Sequence, residues 1–283
     1  MRIEPAAIGN HAARTMYAAL YGELKPHSRP DAQEASQDAY SLFYARSAAM
    51  GWLTPAVGNA RQGLWGMNDA AAGRGVGPRS SPVAFFQVVL TGPAQDELLP
   101  VQPFLSCAGD VLARLGALRL EAIQILLPER AAGDGRIASP SGTEAAAALL
   151  DALNWFADCD PALRTRVRVT LDDGQDASIR AAAPGIARQV REIRQDVFAC
   201  DSFSLTDHDH LVLGPTPLDG GRAGTDHHRV TLAGTLAEWS LDALGWLAAL
   251  LADVSCRNGV CTPLMLTADR STALRAARLL ASN

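Results

Sequence analysis

The sequence predicts an α+β fold: a mixed sheet built from repeated strand–helix–strand units, ferredoxin-like and open to duplication, behind an N-terminal helical segment. Three observations carry this expectation. The unit strand–helix–strand recurs at 83–127, 165–206 and 228–267, each time with a single helix between its strands. The run "RTRVRVTL" (164–171) alternates Arg with Val, so one of its faces meets solvent. Strand-like runs near 202–213 and 228–234 lie close together in the chain, which favours some antiparallel pairing. A layered α/β sheet is the rival architecture.

Taken in chain order, residues 1–50 read as two helices. The second, "DAQEASQDAYSLFYARSAAM", opens with Asp31 and Glu34 at capping-box spacing and repeats apolar residues at helical intervals. Residues 51–82 carry so much Gly and Pro that a long helix or strand is not expected. An unstructured stretch of that length is uncommon inside a compact domain and tends to serve function. It also holds Trp52, Leu53, Leu64 and Trp65, which need something to lie against. This divides the chain into a helical segment and loop at 1–82 and a body at 83–283, with 83–171 and 172–283 as its two similar halves.

Within the body, "VAFFQVVL" (83–90) is a buried strand by length and by aromatic and β-branched content. Phe104, Cys107, Ala108, Val111, Leu112 and Leu115 share one helical face. "LEAIQILL" (120–127) is a second strand, and Ser141 with Glu144 opens a helix running to residue 159. The 176–196 run is helical, with Ile179, Ala183, Ile186, Val190 and Ile193 inward and Pro184 marking a kink or restart. Strands follow at 198–205, 210–214 and 228–234, then an apolar helix over 238–254 stopped by Asn258-Gly259, a last strand at 262–268 and a short terminal helix.

Composition narrows the classes of function. A net charge of -5 and a pI near 5.7 argue against a broad nucleic-acid or anionic-membrane surface. Of 25 basic side chains only Lys25 is lysine, so schemes needing a Schiff-base or phosphate-gripping lysine lose their support. The Arg and Ala bias points to a GC-rich bacterial genome. Five scattered cysteines suit reduced core thiols and a cytoplasmic location, and no secretory leader is read at the N-terminus. The apolar run of the last long helix, Ala243–Ala252, falls short of the roughly 20 residues a membrane span needs.

The densest chemistry is "TDHDHLVLGPTPLDGGRAGTDHHRV" (206–230), which holds four of the six histidines. In an extended strand His208 and His210 share a face. With His228 from a neighbouring strand they would offer three nitrogens to one divalent metal. Asp172 or Asp173 would then serve as general base for a hydrolase or oxygenase reaction. The plainer reading places these residues at strand ends around a polar loop. Cys107, early in its helix, is a candidate nucleophile that also falls on an apolar stripe. Cys256 and Cys261 flank a turn with no further zinc ligands close in sequence. Arg180, Arg188, Arg191 and Arg194 stand opposite the isoleucines of their helix, where they could grip an anionic partner. No dinucleotide, phosphate-loop or nucleophile-elbow motif is present.

The expectation from these residues is a non-catalytic binding protein without a cofactor, an accessory protein of a bacterial biosynthetic pathway. Trp52, Trp65, Arg188 and Arg191 are its candidate contacts with a protein, peptide or small molecule, and homo- or hetero-oligomers are compatible with it. The alternative is a metal-dependent enzyme using His208, His210 and His228 with one divalent ion.

Overall fold

A computed structural model describes residues 14–27, 38–54, 63–73, 75–76, 81–91, 98–129, 153–174, 177–193, 195–206 and 228–270. In chain order its elements are β1 (Thr15–Pro26), α1 (Ala39–Ala49), β2 (Trp65–Ala72), β3 (Gly75–Val76), β4 (Ala84–Leu90), α2 (Val101–Leu115), β5 (Gly116–Leu127), α3 (Leu153–Ala157), β6 (Thr165–Asp172), α4 (Ser178–Glu192), β7 (Phe198–Thr206), β8 (Arg229–Leu236), α5 (Leu241–Arg257) and β9 (Leu264–Arg270). One sheet collects all nine strands in the order β2-β4-β1-β5-β9-β6-β8-β7, with β3 beside β1.

Every strand pairing in this sheet is antiparallel. That corrects the expected mixed sheet. The order of the sheet as a whole is not that of a four-stranded ferredoxin-like unit either, because eight strands run in one unbroken path from β2 to β7. The rival, a layered α/β sheet, fails with the mixed one, since such a sheet needs parallel neighbours. The elements do recur, with bounds unlike those the sequence suggested. The run β1-α1-β2-β4-α2-β5 matches β6-α4-β7-β8-α5-β9, and strand order reads the same outward from the β5–β9 junction.

The expected N-terminal helical segment is also corrected. Thr15–Pro26 is a strand in the middle of the sheet, between β4 and β5. Its Met16, Ala18 and Leu20 face the helices, while Tyr17, Ala19 and Tyr21 face away, and all six are buried. A strand buried on both sides shows no polar–apolar alternation, so its Ala-rich run imitates a helix. The second N-terminal helix exists but starts later. Asp38 caps α1 by accepting a hydrogen bond from the Ser41 amide at 2.7 Å, and the Asp31/Glu34 box lies outside the described residues. The stretch 51–82 contains β2 and β3, so it is not an unstructured loop.

The long helices bury their apolar stripes in one core against a single face of the sheet. In α4, Ile179, Ala183, Ile186 and Val190 are all buried, and the helix is continuous through Pro184, so it does not restart there. Proline removes one backbone hydrogen bond, and the buried residues on both sides of it hold the axis together. Helix α5 is buried from Ala243 to Ser255, at the centre of the helical layer. Gly245 makes that position accessible: a Cβ there would stand 2.7 Å from Cα of Gln102 in α2. The Ser240 hydroxyl accepts from the Ala243 amide at 3.1 Å and caps α5, and Gly259 turns the chain away with φ +86°. No described helix is long and apolar enough to cross a membrane.

Candidate functional site

The residues that sequence analysis singled out fall in separate places. Trp65 is completely buried and packs against Phe43 and Phe104, with its indole N–H 3.3 Å from the Ser47 hydroxyl. Trp52 is half-buried against it, ring centroids 5.6 Å apart. Arg188 reaches Glu192 at 3.9 Å on an exposed surface. Arg191 donates from Nε and Nη2 to the carbonyls of Cys200 and Asp201, at 3.1 and 3.2 Å. It staples α4 to strand β7. Arg194 lies outside the described residues.

His208 and His210 also lie outside the described residues. His228 stands just before β8, with its amide donating to the Gly174 carbonyl at 2.9 Å and its Nδ1 buried without a hydrogen-bond partner. Nearby, the Asp172 carboxylate accepts from Arg229 Nε and from the Gly174 amide, each at 2.7 Å. Asp173 Oδ2 accepts from the Ser178 hydroxyl and the Ile179 amide, which ties it to the first turn of α4. Both candidate bases are thus committed to structural bonds. Among the described residues no three metal-ligating groups converge. Cys107 is buried, and its Sγ lies 3.6 Å from the Ser47 hydroxyl. Burial pushes its thiol up to about 11, so at neutral pH it is protonated and poorly nucleophilic.

Two features of the sheet went unnoticed in the sequence. The first is a polar tract on the face turned away from the helices. Register places Gln124, Thr267, Thr170, Thr231 and Ser204 in one row across β5, β9, β6, β8 and β7. The Tyr21 hydroxyl donates to Gln124 at 2.6 Å, and Thr170 bonds Thr231 at 2.9 Å. Arg168 meets Asp269 at 3.0 Å, and Arg229 meets Asp172 at 2.7 Å. Gln124, Thr231, Thr267 and Asp269 are buried. The two charged pairs are matched across neighbouring strands, so this network helps specify strand register.

The second feature is the contrast between the two edges of the sheet. At β2 the edge is covered where the chain crosses it: Leu53 bridges Trp65, and Thr54 N donates to Trp65 O at 2.8 Å. A bulge at Met67/Asp69 and exposed Asn68 and Asp69 interrupt the rest. Among the described residues, strand β7 forms the opposite edge, with β8 on its inner side. Asp201 to Leu205 are exposed. Phe203 and Leu205 pair in register with the core residues Leu232 and Val230, so they point to the helix-bearing face. Yet they remain 36% and 44% exposed, beyond the cover of α4. Large apolar side chains on an edge strand are what strand addition uses.

A signal for this edge stands in the sequence, the alternation Ser202-Phe203-Ser204-Leu205. Periodicity reports a half-buried strand there but not which neighbour is missing. No protein family, no curated protein and no solved structure matches this chain.

Proposed function

We propose that this is a non-catalytic binding protein that takes an extended polypeptide partner along the free edge of β7. One observation carries the reading: Phe203 and Leu205 stand exposed on the strand that ends the sheet among the described residues, while the far edge is covered and bulged. A partner strand would gain main-chain hydrogen bonds from β7. Its alternate side chains would pack on Phe203 and Leu205, which supply the affinity that backbone bonds alone do not. Arg191 contributes by holding the Cys200 and Asp201 carbonyls, so the start of the strand is already ordered before a partner arrives.

Selection from a displayed library of random linear peptides tests the reading, with the full chain immobilised. Enriched peptides should alternate apolar and polar residues and lose binding to the double variant Phe203→Lys/Leu205→Lys. Peptides that bind both proteins equally, or no enrichment at all, would remove β7 as the binding edge.

A further inference from the structure

We infer that the strand which completes the β7 edge is β7 of a second copy of this chain, paired antiparallel about a two-fold axis through Ser204. The inference rests on the strand-addition reading and names its partner. An isologous contact requires a surface complementary to itself. For two copies of one strand this means an antiparallel register symmetric about a single position. With Ser204 opposite Ser204, Phe203 falls opposite Leu205 of the other copy, and Leu205 opposite Phe203. Both apolar pairs lie on the helix-bearing face, where these side chains now stand exposed. Ser204 lies on the other face, in the hydroxyl-lined row with Thr231 and Thr170.

Such a register puts apolar beside apolar on one face and hydroxyl beside hydroxyl on the other, and no charge is buried within it. Shifting the centre to Phe203 would instead carry Leu205 past the flat stretch, opposite the bulge at Asp201, and leave it without an apolar partner. The centre at Ser204 is therefore preferred. Asp201 is the extra residue of the bulge between Cys200 and Ser202, so the flat stretch starts at Ser202 and that carboxylate stays outside it. The geometry also repeats one the molecule already uses. Strands β5 and β9, the last strand of each half, pair antiparallel over six positions and join two like units into one sheet. A two-fold axis through Ser204 perpendicular to the sheet would extend the sheet in the same sense and keep all helices on one side.

Sedimentation velocity of the full chain and disulfide trapping test this together. The wild type should sediment as a reversible dimer. Leu205→Lys, which sets an ammonium opposite Phe203 of the other copy, should weaken it by about tenfold or more, with an unchanged circular dichroism spectrum and melting temperature. In a Cys200→Ser background, Ser204→Cys should give a disulfide-linked dimer on mild oxidation, because directly opposed Cα atoms stand about 4.5–5.5 Å apart. Ser202→Cys in the same background should not, since that position meets a different residue across the axis. A monomer at all concentrations, or a dimer indifferent to Leu205→Lys, would overturn self-pairing. Either result would leave strand addition to be decided by the peptide selection.

Discussion

Cys107 shows how position in the core decides the chemistry of a side chain. It lies on the buried stripe of α2, and desolvation raises its thiol from 9.0 to about 11. The unfolded chain loses this proton near its ordinary value, whereas the folded chain keeps it until the raised one. Below pH 9 the group therefore favours neither state. Between 9 and 11 the unfolded state gains by ionising, so stability falls as pH rises through that window. Denaturant melts at pH 8 and pH 10.5 should show a smaller alkaline loss for Cys107→Ala than for the wild type. Sequence periodicity already placed Cys107 among core residues. It misplaced Trp65, which reads as part of a loop because Gly and Pro surround it. Pairing of Trp65 with Leu90, and packing on Phe43 and Phe104, bury it completely. Local composition carries no record of contacts made at such separations.

Among the elements, α5 has the plainest local signals. Ser240 caps it, Asp242 lies in its first turn and Arg257 in its last, an arrangement that suits the helix dipole. The Ser106 hydroxyl also donates to Asp242, joining the start of α5 to α2. Ser240→Ala leaves the first-turn amide of Ala243 without its acceptor and should cost about 1 kcal/mol. Equilibrium urea denaturation measures that difference directly. Helices α2 and α4 and strand β6 were legible because each pairs an apolar side with a polar one. By contrast, β1 was read as a helix, since a central strand apolar on both faces has no period of two to detect. For β7, the alternation of serines with Phe203 and Leu205 announced a strand and stayed silent about its place in the sheet. Edge status belongs to the sheet as a whole, so no window of residues contains it.

Across the whole molecule, the β5–β9 junction joins the two like halves into one sheet, and α2 packs on α5 above it. The core residues of both halves belong to a single cluster. Heating should therefore unfold the chain in one transition, with far-ultraviolet circular dichroism and tryptophan fluorescence changing together. Two separated transitions would show that the halves melt independently. Trp239, between β8 and α5, supports the same unity, because its indole N–H donates to the Leu120 carbonyl of β5 in the other half at 2.9 Å. The amino-acid order alone determined which segments are amphipathic, that α5 stops at Asn258-Gly259, and that helices and strands recur in a repeating rhythm. These depend on residues within one or two turns of each other. Tertiary structure decided that β1 lies in the middle, that all neighbours run antiparallel, and that β7 ends the sheet among the described residues. Those outcomes depend on which distant strands compete successfully for the same backbone hydrogen bonds, and that competition is settled only when the whole sheet assembles.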